Sequence, residues 1–428
     1  MPAVSHTYPH SYYAATACDM PDLPSLDGDL TCDVCVIGGG LTGVSAALHL
    51  AELGYDVVLL EAEKIGWGAS GRNGGQLGTG QRQDQDTLEK IYGRDIARTL
   101  WDFAEESVAL CKDLIQKHAI QCDFKPGILH VCLKPEQVRA DHAYINKLST
   151  EYGCQDRRVL SREEICDRLG TTLYHGGSFD RSSGHLHPLN FNLGLAKAAL
   201  AAGARLYEGV RVTAYSASAP SVVQTGRGNV TASYLVLACN GYLEKLERRV
   251  AGKIMPINNY VLATAPLSQD RQKSIIRDEV AVVDSKFVVD YYRFSPDRRL
   301  LFGGGETYSR HFPSDIKSFV RKYMLRVFPQ LADVPIDHAW GGTLAITLNR
   351  IPHFGRLEPN VFYAQGYSGH GLAYTVFAGK LVAEALSGTA ERFDVMADLN
   401  IPSFPGGTLL RWPGLVLGMV YYALRDRL

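Results

Sequence analysis

A short apolar strand that runs into a glycine turn and then a helix constrains this chain more than any other feature. Residues 32–43 read Cys-Asp-Val-Cys-Val-Ile-Gly-Gly-Gly-Leu-Thr-Gly. Gly38 permits the tight turn, Gly40 lets the backbone approach a pyrophosphate, and Gly43 lets helix and strand pack closely. Residues 44–53 read as the helix, whose N-terminus offers free N–H groups and a positive dipole end to the phosphates, and Leu41 and Thr42 in the turn before it join the expected cofactor set. The second strand, residues 55–61, ends in Glu61, 18 residues after Gly43 and near the ~20 expected for the acid that holds a ribose hydroxyl. Strand, turn, helix, strand and acid in this order predict a dinucleotide-binding unit. An ordinary βαβ unit with a tight turn is the plainer alternative.

Position and flanking sequence narrow the choice of dinucleotide. After Glu61 and Ala62, residues 64–76 read Lys-Ile-Gly-Trp-Gly-Ala-Ser-Gly-Arg-Asn-Gly-Gly-Gln. Such a loop can lay backbone N–H groups against an extended ligand. Gly68, Ala69, Ser70, Arg72, Asn73, Gly74, Gly75 and Gln76 are therefore expected at the cofactor. Far downstream, residues 360–371 again read as a strand and a glycine turn, Gln-Gly-Tyr-Ser-Gly-His-Gly, before an apolar helix to about Leu386. A helix N-terminus there would stabilise the negative charge of a reduced flavin. Gly366, Tyr367, Ser368, Gly369, His370 and Gly371 join the expected cofactor set, with Val210 and the Asn240-Gly241 pair that follows an apolar strand.

Three of these segments, Gly38 to Glu61, Gly68 to Gln76 and Gly366 to Gly371, resemble the FAD-dependent superfamily of D-amino-acid oxidase, glycine oxidase and sarcosine oxidase. Within it the chain resembles bacterial gamma-glutamylputrescine oxidases more closely still. That likeness runs through residues 11–15, 65–76, 184–189, 290–293, 303–305, 365–371 and 424–428. It implies bound FAD and oxidation of an amine, with a gamma-glutamylated polyamine as substrate and aldehyde, ammonia and hydrogen peroxide as products. Oxidation of a small amino acid, or a flavin-bearing subunit without turnover, are the alternatives. Sarcosine oxidases tether FAD through a cysteine before the C-terminal glycine turn and carry a lysine on the substrate sheet. Here residues 340–366 hold no cysteine and residues 300–304 no lysine. Non-covalent FAD is expected, and molecular oxygen or a quinone remains open as acceptor.

At 428 residues the chain exceeds one typical core. The expected fold class is α/β, a two-domain α+β arrangement with a Rossmann-like FAD-binding domain interwoven with an antiparallel-sheet substrate domain. Residues 1–30 form an N-terminal arm on the surface. Residues 31–115, 160–245 and 340–400 form the FAD-binding domain, 116–159 and 246–339 the substrate domain, and 401–428 an apolar tail. Helices are expected at 86–118, 135–152, 188–202 and 314–328, and Ser161 with Glu164 forms a capping box. Residues 230–232 and 234–239 read as separate strands. A net charge of −1 gives no reason to expect nucleic acid. The apolar run after Gly414 is too short to span a bilayer, so the tail is expected to pack as a helix. Nine scattered cysteines suit a cytoplasmic protein with reduced thiols and no metal. Cys32 and Cys35 lie on a strand whose period of two would place them on opposite faces.

Amine oxidation requires a neutral amine, and burial in an aromatic-lined pocket disfavours the cation. Tyr291, Tyr292 and Arg293 lie on a predicted substrate-sheet strand, where Tyr292 and Arg293 point to opposite faces. Tyr291, Tyr292 and His370 are the catalytic candidates. Arg293, Arg350 and His187 are the substrate-binding candidates, Arg350 as a bidentate carboxylate anchor. A sheet surface with an exposed arginine for residues 291–293, a surface salt bridge for Arg350 and a satisfied structural role for each histidine are the alternatives.

Overall fold

The computed structural model describes residues 7–307 and 311–408. One sheet runs in the order His353–Glu358, Val361–Gln365, Gly228–Leu237, Leu30–Ile37, Val57–Leu60, Arg205–Tyr207. The strand Leu30–Ile37 pairs in parallel with both Gly228–Leu237 and Val57–Leu60. Its carboxyl end lies where chain order reverses, the switch point at which doubly wound sheets bind ligands. Val34, Val36, Val57 and Leu59 bury with Val44, Leu48, Leu195 and Val376 from three helices. Cys35, Ile37, Val58 and Leu60 bury on the other side with Val223, Leu243 and Val250. Burial on both faces explains why these strands are continuously apolar. The segments read as two strands at 230–239 form one strand, Gly228–Leu237, with Ser233 inside it.

The second sheet runs Ile336–Ile346, Met255–Thr264, Leu300–Thr307, Tyr291–Phe294, Ala281–Asp284, Lys125–Val131, Gly177–His185, Gln76–Leu77, with Arg157–Leu160 beside Gly177–His185. All its pairings are antiparallel except Ala281–Asp284 with Lys125–Val131. Tyr291, Val283, His130 and Ser178 stand opposite one another across four neighbouring strands. Period two sends Tyr292 to the opposite face, where it stacks on Phe302 and meets Phe328 in a second core. Gly177–His185, within the 160–245 stretch, hydrogen-bonds in this second sheet, and Ile336–Ile346 runs across residue 340.

The helices Pro135–Tyr152 and Ile316–Val327 and the Ser161/Glu164 capping box are present. Three expectations need correction or fall outside. The N-terminal arm does not lie wholly on the surface, because the Tyr12 and Tyr13 rings are buried and Tyr13 packs on Trp340 and His187. Cys32 and Cys35 share one apolar cluster; Asp33 N–H and Val34 N–H both donate to Asp56 O, a bulge-like irregularity that breaks the alternation. Both are free thiols. The expected tail helix lies outside the described residues. Among the described residues no helix is long and apolar enough to cross a membrane, and no group of side chains could hold a metal ion.

Candidate active site

The glycine turn has the steric character that close packing demands. Gly38 has φ +112° and faces the Ala238 carbonyl. A Cβ on Gly43 would overlap the Gly38 carbonyl, and one on Gly40 would lie 2.8 Å from Ser70 Oγ. The helix Leu41–Glu52 has no side-chain cap at Gly40, so its first N–H groups remain for a ligand apart from Leu41 N–H, which donates to Ser70 Oγ at 2.9 Å. Glu61 accepts from Gly39 N–H at 2.6 Å and Glu63 N–H at 2.8 Å. Burial raises its carboxyl pKa, and these two hydrogen bonds oppose the rise. Val210 N–H donates to the Glu61 carbonyl at 2.8 Å and braces the same corner beside Ala62.

From this turn a cavity of about 460 Å³ opens between the two sheets. Leu41, Ala69, Ser70, Arg72, Asn73, Gly74 and Gln76 line one wall, and Asn240, Tyr367, Ser368, Gly369, His370 and Gly371 line another. The loop is held by its own polar groups. Asn73 donates to the Ala69 and Ser70 carbonyls and accepts from Gly75 N–H at 2.8 Å. Gln76 donates to the Val282 carbonyl at 2.9 Å. Gly68 packs on the Tyr242 ring, whose segment carries Asn240 and Gly241. Asn240 accepts from Gly366 N–H at 2.9 Å, and Thr42 and Tyr367 hydroxyls meet at 2.8 Å, so the third glycine segment is tied to the first. The helix Leu372–Leu386 starts at Gly371 without a side-chain cap.

Tyr291 and Arg350 also line the cavity. The Tyr291 ring occupies space that only glycine leaves at positions 74 and 303, since a Cβ at either would overlap it. Its hydroxyl donates to Asn259 Oδ1 at 2.6 Å. Arg350 has φ +64° and stacks over Phe287 at 5.1 Å. His370 Nε2 is buried without a hydrogen-bond partner. Burial and the charges of Arg82 and Arg157 lower the His370 pKa to about 4, against the pull of the Gly78 and Thr79 backbone, so the imidazole is neutral at pH 7.

Three of the expected catalytic and substrate-binding residues do not line the cavity. Tyr292 lies in the core behind the sheet and bonds Tyr174 Oη at 3.2 Å. Arg293 donates to Gly74 O at 3.0 Å, Leu186 O at 2.8 Å and Tyr13 Oη at 3.1 Å. It fastens the loop and the arm to the second sheet. His187 Nδ1 accepts from Asn190 N–H at 3.1 Å as a helix cap, and its Nε2 meets Thr16 Oγ1 at 3.0 Å.

The cavity also has a wall that sequence reasoning missed: His130, Asp141, Tyr144, Ile145, Arg157 and Ser178. Two signals could have found part of it. Strand alternation places Ile128 and His130 on one face, and helical spacing places Asp141, Tyr144 and Ile145 on another.

These features fit FAD on the structure's own terms. The turn admits a pyrophosphate, and Arg72 Nη2 is buried at the cavity wall without a partner. Its Nε and Nη1 are already committed to Trp67 O at 2.5 Å and Gly341 O at 3.2 Å. A family model for the DAO family, FAD dependent oxidoreductases, matches residues 33–385, and the chain belongs to that family. It is 44% identical to gamma-glutamylputrescine oxidoreductase of Escherichia coli K12 over 419 residues, 98% of each chain. It is 42% identical to the probable oxidoreductase OrdL of Rhizobium meliloti, over 98% of this chain and 97% of that one. Among solved structures, glycine oxidase from Geobacillus kaustophilus superposes with a TM-score of 0.72 at 20% identity, covering 87% of this chain and 100% of that one. FAD is thus the cofactor of this fold.

Proposed function

We propose that the chain oxidises the primary amine of a gamma-glutamylated polyamine, gamma-glutamylputrescine among them, to an aldehyde. FAD-dependent oxidation of an amine is the broader class. The observation that carries the narrower reading is the end-to-end identity of 44% with the Escherichia coli gamma-glutamylputrescine oxidoreductase. Bound FAD supplies the acceptor for the hydride that leaves the amine carbon.

The chain's own residues prepare the amine. A free alkylamine titrates near ~10, and transfer into a cavity walled by Tyr291, Phe287, Leu344 and Ile346 disfavours its charged form. Neutral His370 adds no opposing charge, and its unpartnered Nε2 can accept one amine N–H. Tyr291, fixed by Asn259, limits where the carbon can sit. The C–N bond loses a hydride from carbon and a proton from nitrogen, and water hydrolyses the resulting imine to aldehyde and ammonia. With molecular oxygen as final acceptor the electrons leave as hydrogen peroxide; a quinone would take them instead in a dehydrogenase.

Anaerobic addition of gamma-glutamylputrescine to the yellow holoprotein tests this. Bleaching of the flavin band, followed by recovery and stoichiometric peroxide on admission of air, is expected. No bleaching by any gamma-glutamylated amine overturns it. Arg350 at the cavity wall favours a second reading, oxidation of a short amino acid held by its carboxylate. Bleaching by glycine, sarcosine or a D-amino acid alone decides for that reading.

A further inference from the structure

The cavity's charged far end is unused by the chemistry just described. Its floor is the cross-strand row Tyr291, Val283, His130, Ser178, and all four residues line the cavity. Three steps of about 4.8 Å between strands separate the ends of that row by about 14 Å. Tyr291 stands at one end, beside Gly74 of the cofactor loop. At the other, Asp141 Oδ1 accepts from Ser178 Oγ at 3.2 Å, while Asp141 Oδ2 is buried without a partner.

Arg157 joins the same wall. It stands opposite Asp180 across the strands, and its Nε donates to Asp180 Oδ2 at 3.0 Å. Its Nη2 donates to Thr79 O at 3.3 Å. Asp180 is itself locked, with its Oδ1 accepting from Ser182 N–H at 3.0 Å and Ser183 N–H at 3.0 Å. The guanidinium is therefore braced from behind, and Trp101 lies beneath it at 5.5 Å. An acid with an open oxygen and a braced guanidinium on one wall suit a ligand carrying both an ammonium and a carboxylate.

We infer that Asp141 and Arg157 form a subsite for the α-amino-acid head of the substrate, Asp141 holding the α-ammonium and Arg157 the α-carboxylate. The inference rests on the function proposed above and adds where specificity is read. Extended, the distance from the oxidised carbon of gamma-glutamylputrescine to its glutamyl α-carbon is about 10 Å. Side-chain reach and two hydrogen bonds fill the remainder of the row. Amines without the head reach the same reacting position but leave Asp141 Oδ2 buried and unanswered, and this asymmetry is a strong source of discrimination.

The test compares gamma-glutamylputrescine with glutarylputrescine, which lacks only the α-ammonium, on the wild-type holoenzyme and on Asp141→Asn. Asparagine keeps an oxygen for Ser178. The wild type is expected to prefer gamma-glutamylputrescine in kcat/KM on the order of 10- to 100-fold, and Asp141→Asn to erase that preference, the ratio of the two substrates being read within each enzyme. Arg157→Lys, which retains a charge toward Asp180, is expected to weaken binding of gamma-glutamyl-n-butylamide, a ligand that keeps the α-amino-acid head but has no terminal amine to oxidise, about 10-fold by calorimetry. Wild-type turnover with no preference between the two substrates, or the same preference in Asp141→Asn, overturns the subsite alone. No wild-type turnover of either substrate overturns the proposed function and the subsite with it.

Discussion

Tyr291 donates its phenolic hydrogen to Asn259 Oδ1 at 2.6 Å, and both side chains line the cavity. The bond joins two strands of the second sheet and fixes the ring in rotation as well as in position. Tyr291→Phe keeps the ring and removes the bond. We expect flavin reduction by the amine substrate to slow about 10-fold, with FAD content unchanged, in anaerobic stopped-flow absorbance. An unaltered rate would show that the hydroxyl has no part in placing the substrate.

Gly303 faces the same ring. A methyl group there overlaps the Tyr291 side chain, which has Gly74 on its other side. Gly303→Ala is expected to push the ring into the cavity, lower stability by about 1–3 kcal/mol and reduce turnover more severely than Tyr291→Phe. Denaturant unfolding and steady-state kinetics on one preparation check both effects.

FAD retention should depend on Gly43. A Cβ there meets the Gly38 carbonyl, a backbone atom that cannot rotate away. Gly43→Ala is expected to purify with little flavin, read as the ratio of flavin to protein absorbance. No cysteine lines the cavity, and in the wild type acid precipitation should release all yellow colour into the supernatant. Colour retained in the pellet would reveal a covalent link.

Acid should unfold this protein early. Burial lowers the pKa values of His185, His187 and His353 to about 3, from an ordinary value near 6.5. Each is neutral when folded and takes a proton when unfolded in the interval between those values. Their contribution is full above about pH 6.5 and is lost as pH falls toward about 3, with a slope of up to about 1.4 kcal/mol per pH unit for each group. Thermal midpoints measured from pH 7 to pH 4 should fall continuously. A flat profile would mean that these imidazoles are charged in the native state.

Much of the fold was legible because it is written locally. The strand, turn and helix at Gly38 to Gly43, the capping box at Ser161 and the helix Pro135–Tyr152 each follow from residues near in sequence. The glycine-rich segments that line the cavity stood out for the same reason, since each is contiguous in sequence. Tyr292 was not, because period two separates two faces without naming the one that meets the cavity. His187 was misjudged because its partner Thr16 lies in the arm, 171 positions away. Asp141, Arg157, His130 and Ser178 come from four separate elements; strand register sets His130 beside Ser178, but only the packing of the helix Pro135–Tyr152 on those strands brings Asp141 to the same wall.

The arm has a further consequence, for the order in which the molecule is made. Tyr12 bonds Asp297 across 285 positions, and Tyr13 meets Arg293 across 280. The ribosome releases these tyrosines long before the strands that receive them exist. Through most of synthesis two large aromatic rings must wait without their native cover, and only after residue 340 emerges can Tyr13 settle against Trp340. The seam between the sheets is thus closed by a segment translated 280 positions ahead of the strand that receives it.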